Sequence, residues 1–264
     1  MQIDQQKCVA CGNCIPVCPM GAISINVIQN RATVNADECV ECYACYRGMS
    51  MEKLNPTLVR AIRRVLKVFR LRFDPEPDVC PTSAITPNTL EWPRIVRRAF
   101  SDPIVTHEST GVHGRGTEEV KTNDVTNRVG LGEVGYVVEF GRPTVGVRFR
   151  DIEKMTQALA AIGIEFEPKN PVTHMMTDKK SGKLRGDILG EKILSAIVEF
   201  KTSLENVPAV LRRVEEVSKT LDTVVSVGVS TRCDERGGSA LDHVLVEEGF
   251  SFVRGKTNLG LGHR

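Results

Sequence analysis

Two rhythms of apolar residues alternate along the chain from Gly132 onward. Val134 to Phe140 is a strand-length run dense in β-branched and aromatic side chains. Asp151 to Ile162 instead sets Ile152, Met155, Leu159 and Ile162 three and four residues apart, the spacing of a helix with one buried face. Val172 to Thr177 and Ile193 to Phe200 read as two further strands, on either side of a glycine-containing turn region, Ser181-Gly182-Lys183 and Gly186 to Gly190. Asn206 caps a second helix over Pro208 to Leu221, with Leu211, Val214, Val217 and Leu221 predicted to face inward, and Thr223 to Val229 closes the segment as a strand. The order is β-α-β-β-α-β. Val137-Val138-Glu139-Phe140 before the first helix is echoed by Ile197-Val198-Glu199-Phe200 before the second. Two split β-α-β units with right-handed crossovers would set these matching strands side by side at the centre of one antiparallel sheet, with the helices on one face.

An earlier stretch is helical and differently charged. Asn55-Pro56 is a helix start, with a capping side chain and a proline in the first turn, and the helix is expected to run to about Phe73 before Asp74-Pro75-Glu76-Pro77 stops it. Leu58, Ile62, Val65 and Phe69 make its predicted apolar face. Lys53, Arg60, Arg63, Arg64, Lys67, Arg70 and Arg72 fall between Lys53 and Phe73, with no acidic residue among them. Such a face is either simply solvated or offered to an acidic partner, for which Arg60, Arg63, Arg64, Lys67 and Arg70 are the candidate contacts. A membrane surface is the poorer match, because Trp and Phe anchors on the apolar side are sparse.

The chemistry of the chain lies in its cysteines. Cys8-x-x-Cys11-x-x-Cys14-x-x-x-Cys18-Pro19 is followed by Cys39-x-x-Cys42-x-x-Cys45 and a delayed Cys80-Pro81. Three cysteines at steps of three wrap one corner of a cubane iron–sulfur cluster, and the Cys-Pro that follows reaches across to the other cluster. By that logic Cys8, Cys11, Cys14 and Cys80 hold one [4Fe-4S] cluster, while Cys39, Cys42, Cys45 and Cys18 hold a second. Val17-Cys18-Pro19-Met20-Gly21-Ala22-Ile23 matches Val79-Cys80-Pro81-Thr82-Ser83-Ala84-Ile85 in five of seven places, which implies a duplicated half-domain. Zinc, which takes two paired Cys-x-x-Cys knuckles around one tetrahedral ion, would leave the third cysteine of each run over. Disulfides need an oxidising compartment, and the chain has nine cysteines and no secretory leader pattern. Cys233, the ninth, reads as a small packed side chain.

On these motifs the first 90 or so residues resemble the bacterial-type dicluster ferredoxins, small domains that relay single electrons between two cubanes. The departure from that pattern is the thirty-four residues between Cys45 and Cys80, an insertion tolerable if its ends return close together. The β-α-β-β-α-β pattern looks like the ACT-type regulatory modules, which pair as dimers and bind small ligands near the first strand-to-helix turn, here Gly141-Arg142-Pro143 to Gly146. The expected class is therefore α+β: a ferredoxin domain over 1–93 with a basic helical insertion at 46–79, a polar connector or arm over 94–131, a βαββαβ sandwich over 132–231 and an extension over 232–264. What the resemblance implies is a cytoplasmic electron-transfer subunit serving a flavin, molybdenum, tungsten or other catalytic partner of an anaerobic oxidoreductase, with a possible homodimer through the C-terminal domain.

Composition narrows this only a little. With 35 basic and 33 acidic residues the formal charge is +2, which carries no nucleic-acid footprint. No apolar run approaches the roughly 20 residues of a membrane span. The connector holds His113, Arg115, Glu118, Lys121 and Asp124 in a loop that lacks phosphate-loop spacing. Two other functions stay open: a redox or ligand sensor working through the Gly141 to Gly146 turn, and an enzyme with its substrate at the 110–124 loop.

Overall fold

The two cysteine-bearing halves are laced together by their ends. In the computed structural model, which describes residues 1–49, 53–71, 78–108, 111 and 128–253, β1 (Gln2–Ile3) pairs antiparallel with β4 (Ile85–Thr86), and β2 (Ile23–Asn26) with β3 (Arg31–Val34). The start of each half thus pairs with the end of the other. Equivalent hydrogen bonds repeat the duplication: Asp4 N–H donates to Ala84 O at 2.8 Å and Asn35 N–H to Ala22 O at 2.7 Å, while Cys8 N–H donates to Asp4 O at 2.9 Å and Cys39 N–H to Asn35 O at 3.0 Å. Because both halves carry Ala-Ile after Cys-Pro, the apolar Ile23 and Ile85 enter one shared core with Ala22 and Ala84. α1 (Ala44–Arg47) follows the second cysteine run.

The insertion forms α2 (Pro56–Val68), where the Asn55 side chain accepts from Thr57 N–H and Leu58 N–H and Pro56 takes the first turn. The helix stops before the expected Phe73: Arg70 enters the left-handed region at φ 57°, and Leu71 N–H closes back onto Leu66 O at 2.9 Å. Residues 72–77 lie outside the described residues. The predicted apolar face also needs correction. Leu58, Val65 and Phe69 are 60%, 58% and 68% exposed, and the buried residue is Val59 at 2%. Arg60 and Arg63 are bonded to the first cysteine loop, so the face turned inward is the one that carries them.

Contacts divide the chain at Asp102–Pro103. The first unit therefore runs past residue 93, because α3 (Ile95–Ser101) packs into it with Val96 and Phe100 buried. Residues 94–102, expected within the connector, belong to the cysteine-bearing unit. Most of the rest of that connector, residues 109–110 and 112–127, lies outside the described residues.

In the second unit β5 (Glu133–Phe140) is the centre of a three-stranded antiparallel sheet, flanked by β10 (Ala196–Ser203) and β11 (Val225–Thr231). The two echoed segments are neighbours, with Val138 opposite Val198 and Phe140 opposite Ala196. The even-numbered side chains Val134, Tyr136, Val138 and Phe140 are fully buried, and Tyr136 stacks on Phe200 at 4.7 Å. α4 (Phe149–Ala160) buries Phe149, Ile152, Met155 and Leu159; Ile162 lies beyond its end and is 37% exposed. α6 (Val207–Ser218) buries Val207, Val210 and Val214, so its inner face is rotated from the expected set of Leu211, Val214, Val217 and Leu221. The predicted strand Val172 to Thr177 is a correction as well. Asn170 caps a short helix, α5 (Pro171–His174), by accepting from Val172 N–H, and only Met176–Asp178 (β7) is extended, in a hairpin with Lys183–Leu184 (β8). The edge of β10 is met instead by Phe166, which bridges to Phe200, and by Glu167 N–H, which donates to Glu199 O at 2.8 Å. Pro171 made the difference, since Asn-Pro starts a helix at this point rather than a strand. Short pairs β6 (Val147–Arg148) with β9 (Lys192–Ile193), and α7 (Ala240–Glu247), complete the unit.

The β7–β8 hairpin docks on α4 through a glycine. Gly182 has φ +71°, its carbonyl accepts from Thr156 Oγ1 at 2.6 Å, and a Cβ added there would stand 2.3 Å from Thr156 O. Gly182→Ala should therefore destabilise this unit by about 3 kcal/mol, lowering its thermal midpoint by roughly 10 °C in circular dichroism. Visible absorbance at 25 °C should be unchanged. A midpoint within about 2 °C of wild type would show that the hairpin yields freely.

Candidate metal centre

The cysteine loops are wound by left-handed residues at matched places. Between the first and second cysteines stand Ala10 (φ 53°) and Glu41 (φ 54°), and after the second stand Gly12 (φ 83°) and Tyr43 (φ 60°). A residue in this region reverses the chain and turns successive side chains to one side, so that each run presents its three sulfurs around a common space. The Cys-Pro segments repeat in the same way: Gly21 N–H donates to Cys18 O at 3.2 Å and Ser83 N–H to Cys80 O at 3.1 Å, with Gly21 and Ser83 both at positive φ.

Two chambers result. One is lined by Cys18, Cys39, Cys42 and Cys45 together with Met1, Pro19, Met20, Ala22, Ile23, Val34, Val40 and Tyr43. The other is lined by Cys8, Cys11, Cys14 and Cys80 with Ile3, Val9, Gly12, Ala32, Val79, Ala84 and Ile85. Each chamber is lined by the three cysteines of one run and the Cys-Pro cysteine that follows the other run. Four thiols lining one apolar site suit a polynuclear cluster. Among the described residues no group of three or more Cys, His, Asp or Glu is placed to hold a single ion. Cys233 belongs to the second unit and lines neither chamber.

Backbone amides point at the sulfurs. Ala22 N–H donates to Cys18 Sγ at 3.3 Å, Ala84 N–H to Cys80 Sγ at 3.1 Å and Ala32 N–H to Cys8 Sγ at 3.3 Å. Such donors stabilise thiolates and raise the potential of a cluster bound to them. Without metal, burial pushes the Cys14 thiol up to about 12, with Cys11, Cys80 and Cys8 adding to the rise, and burial does the same at Cys45, also to about 12, with Cys42, Cys39 and Cys18 adding. Cys11, Cys39 and Cys42 are raised by burial too; the charge of Arg63 opposes this at Cys11 and that of Arg94 at Cys39. The pocket needs a positively charged occupant to hold its sulfurs ionised, and metal uptake must release protons.

Residues that sequence reading passed over support the second loop. Glu41 is fully buried between Cys39 and Cys42, and accepts from the Met1 ammonium at 2.6 Å and from Arg94 at 2.6 and 3.1 Å. Arg97, 4% exposed, donates to the carbonyls of Ala36, Asp37 and Cys39 at 3.2, 2.8 and 2.9 Å. Arg98 lies 4.3 Å over the Tyr43 ring and bonds Asp102, which also pairs with Arg47. The Arg97-Arg98 doublet was the one trace of this in the sequence. Of the five basic residues offered as partner contacts, Arg60 and Arg63 are engaged by the first cysteine loop, while Arg64, Lys67 and Arg70 are exposed. In the second unit the Gly141–Gly146 turn closes on itself, with Gly141 O accepting from Val145 N–H and Gly146 N–H, and Arg142 paired with Glu139 at 2.6 Å. The 110–124 loop lies outside the described residues apart from Gly111.

Crossed cysteine sets in apolar chambers define an iron–sulfur protein. Residues 1–48 match the family described as 4Fe-4S dicluster domain. Ferredoxin-1 of Rhodobacter capsulatus is 45% identical over 42 residues, and a ferredoxin-like protein in the vnf region of Azotobacter vinelandii is 43% identical over 42 residues. Each alignment covers 16% of this chain and 62% of the relative, so the chain spans less than two thirds of the curated relatives it matches. No solved structure matches the chain. The amino-terminal segment is a 4Fe-4S dicluster domain similar in sequence to ferredoxins, and the chain carries two [4Fe-4S] clusters. The match ends before Cys80, so that residue rests on the chamber it lines.

Proposed function

We propose that the protein is an electron carrier in which Cys8, Cys11, Cys14 and Cys80 ligate one [4Fe-4S] cluster and Cys39, Cys42, Cys45 and Cys18 the other. The observation that carries this reading is the partition of the eight cysteines into two four-cysteine chambers. When bound, each cluster supplies a one-electron couple. The residues of the chain do the rest: they hold the thiolates, aim the Ala22, Ala32 and Ala84 amides at sulfur, and exclude water with Val9, Val40, Val79, Ile23 and Ile85. Among the described residues no helix is long and apolar enough to cross a membrane.

The destination of the electrons is a redox partner, read here as the flavin-, molybdenum- or tungsten-bearing subunit of a cytoplasmic, anaerobic oxidoreductase. Its docking site is best sought on and just after α2, where Arg64, Lys67 and Arg70 stand exposed. Exposed cations suit an acidic partner, because complementary charge speeds encounter. The test is a reductive titration of anoxically purified chain containing about eight irons. Uptake of about two electrons, returned to a one-electron acceptor protein, is the expected result. Clusters that reduce but pass nothing on would sink the carrier reading.

A further inference from the structure

The ferredoxin half-repeat is offset by thirty-one residues, so Gln6, Cys8 and Ala10 correspond to Asp37, Cys39 and Glu41. Guanidinium contacts obey the same correspondence. On the first loop Arg60 donates to Gln6 O and to Cys8 O, the latter at 3.3 Å, and Arg63 donates to Ala10 O at 3.1 Å. On the second, Arg97 donates to Asp37 O at 2.8 Å and Cys39 O at 2.9 Å, and Arg94 holds the Glu41 carboxylate. Arg60 therefore matches Arg97, and Arg63, on the Ala10 carbonyl, matches Arg94 in position although Arg94 meets a carboxylate there. The first pair comes from α2, inserted between ligands; the second comes from the start of α3 and the residue before it, beyond the last ligand. Both lie outside the segment that matches the dicluster family. Two unrelated additions to the domain thus deliver the same group to the same carbonyl of each cysteine run.

We propose that α2 and α3 are a matched pair of guanidinium clamps, one per cluster, which set the two reduction potentials independently by placing fixed positive charge on the backbone of the loop that ligates each cluster. The proposal rests on the ligand sets given above. A reduced cluster carries one more negative charge than an oxidised one, so a nearby cation held in a partly buried site favours reduction. Arginine suits the task, because its planar fork spans two carbonyls and its charge survives at any working pH. These are positioning residues: they touch the loop and not the sulfurs. The arrangement would let the chain separate two clusters of otherwise similar surroundings, with α2 governing the cluster of Cys8, Cys11, Cys14 and Cys80.

The experiment is a potentiometric titration of the full chain, prepared anoxically and followed by electron paramagnetic resonance of the reduced clusters, with iron measured on every sample. The substitutions are Arg60→Gln with Arg63→Gln, the corresponding Lys pair, and Arg94→Gln. The Gln pair should lower one midpoint, so that at the wild-type midpoint the reduced-to-oxidised ratio of that cluster falls by about tenfold, ~59 mV for a one-electron couple. Arg94→Gln should lower the other midpoint. The Lys pair, which keeps the charge, should stay near wild type. If the Gln pair loses iron, Arg63→Gln alone, which gives up one carbonyl contact, carries the same expectation at smaller size. Full iron with neither midpoint moved, both helices moving the same midpoint, or Lys falling as far as Gln would each overturn the clamp. Wild-type protein with well under eight irons would instead sink the cluster reading beneath it.

Discussion

Cys80→Ala should lower the iron content from about eight to about four per chain and roughly halve the visible absorbance. Cys80 is 8% exposed in the chamber of Cys8, Cys11 and Cys14, and two local bonds hold it there: its N–H reaches Asp78 Oδ1 at 3.0 Å, and its Sγ accepts from Ala84 N–H at 3.1 Å. No other cysteine lines that chamber, so the loss has no substitute within it. Because the sets are crossed, the chamber of Cys18, Cys39, Cys42 and Cys45 should keep its iron, and Cys18→Ala should give the complementary result. Cys233→Ala, a control outside both chambers, should leave iron unchanged. Iron analysis and absorbance of anoxically purified variants decide this; full iron in Cys80→Ala refutes the crossed scheme.

The second large effect is expected at Glu41. Its carboxylate, fully buried, faces the Met1 ammonium and Arg94, so Glu41→Gln would leave two cations against a neutral amide. Breaking a buried pair by removing one charge costs on the order of 3–5 kcal/mol, and here it would loosen the loop between Cys39 and Cys42. Burial alone would push this carboxyl up, but the hydrogen bonds from the ammonium and Arg94 outweigh it and hold it below the ordinary range. A depressed carboxyl contributes stability that is present above its unfolded value of ~4.3 and is lost as pH falls through the folded value. Wild type and Glu41→Gln should therefore differ most in denaturation midpoint near pH 7 and converge towards pH 3, monitored by far-ultraviolet dichroism and by bleaching of the visible bands. Equal midpoints at pH 7 would show that the carboxylate is not a support.

Much of the metal centre was legible because cysteine spacing is covalent. Steps of three residues limit how far apart sulfurs can stand, and the repeated Val-Cys-Pro-x-x-Ala-Ile tied Cys80 to Cys18 across a long insertion. Hydrophobic periodicity located both long helices of the second unit and the two echoed strands, which the structure pairs directly. It failed at Val172 to Thr177, where Asn170-Pro171 starts a helix within an apolar run. It also failed in choosing the buried face of α2: the apolar stripe pointed one way, but two guanidinium groups satisfied by loop carbonyls turned the helix another.

By itself the sequence marked the eight candidate ligands and the duplicated motif that carries them, since both are short-range features of the chain. Only the tertiary structure decided that Arg60, Arg63, Arg94 and Arg97 brace those loops. The partners of Arg60, Arg63 and Arg97 are backbone carbonyls more than fifty residues away, and a carbonyl leaves no mark in the residue that carries it; Arg94 meets the Glu41 carboxylate at a similar separation in sequence.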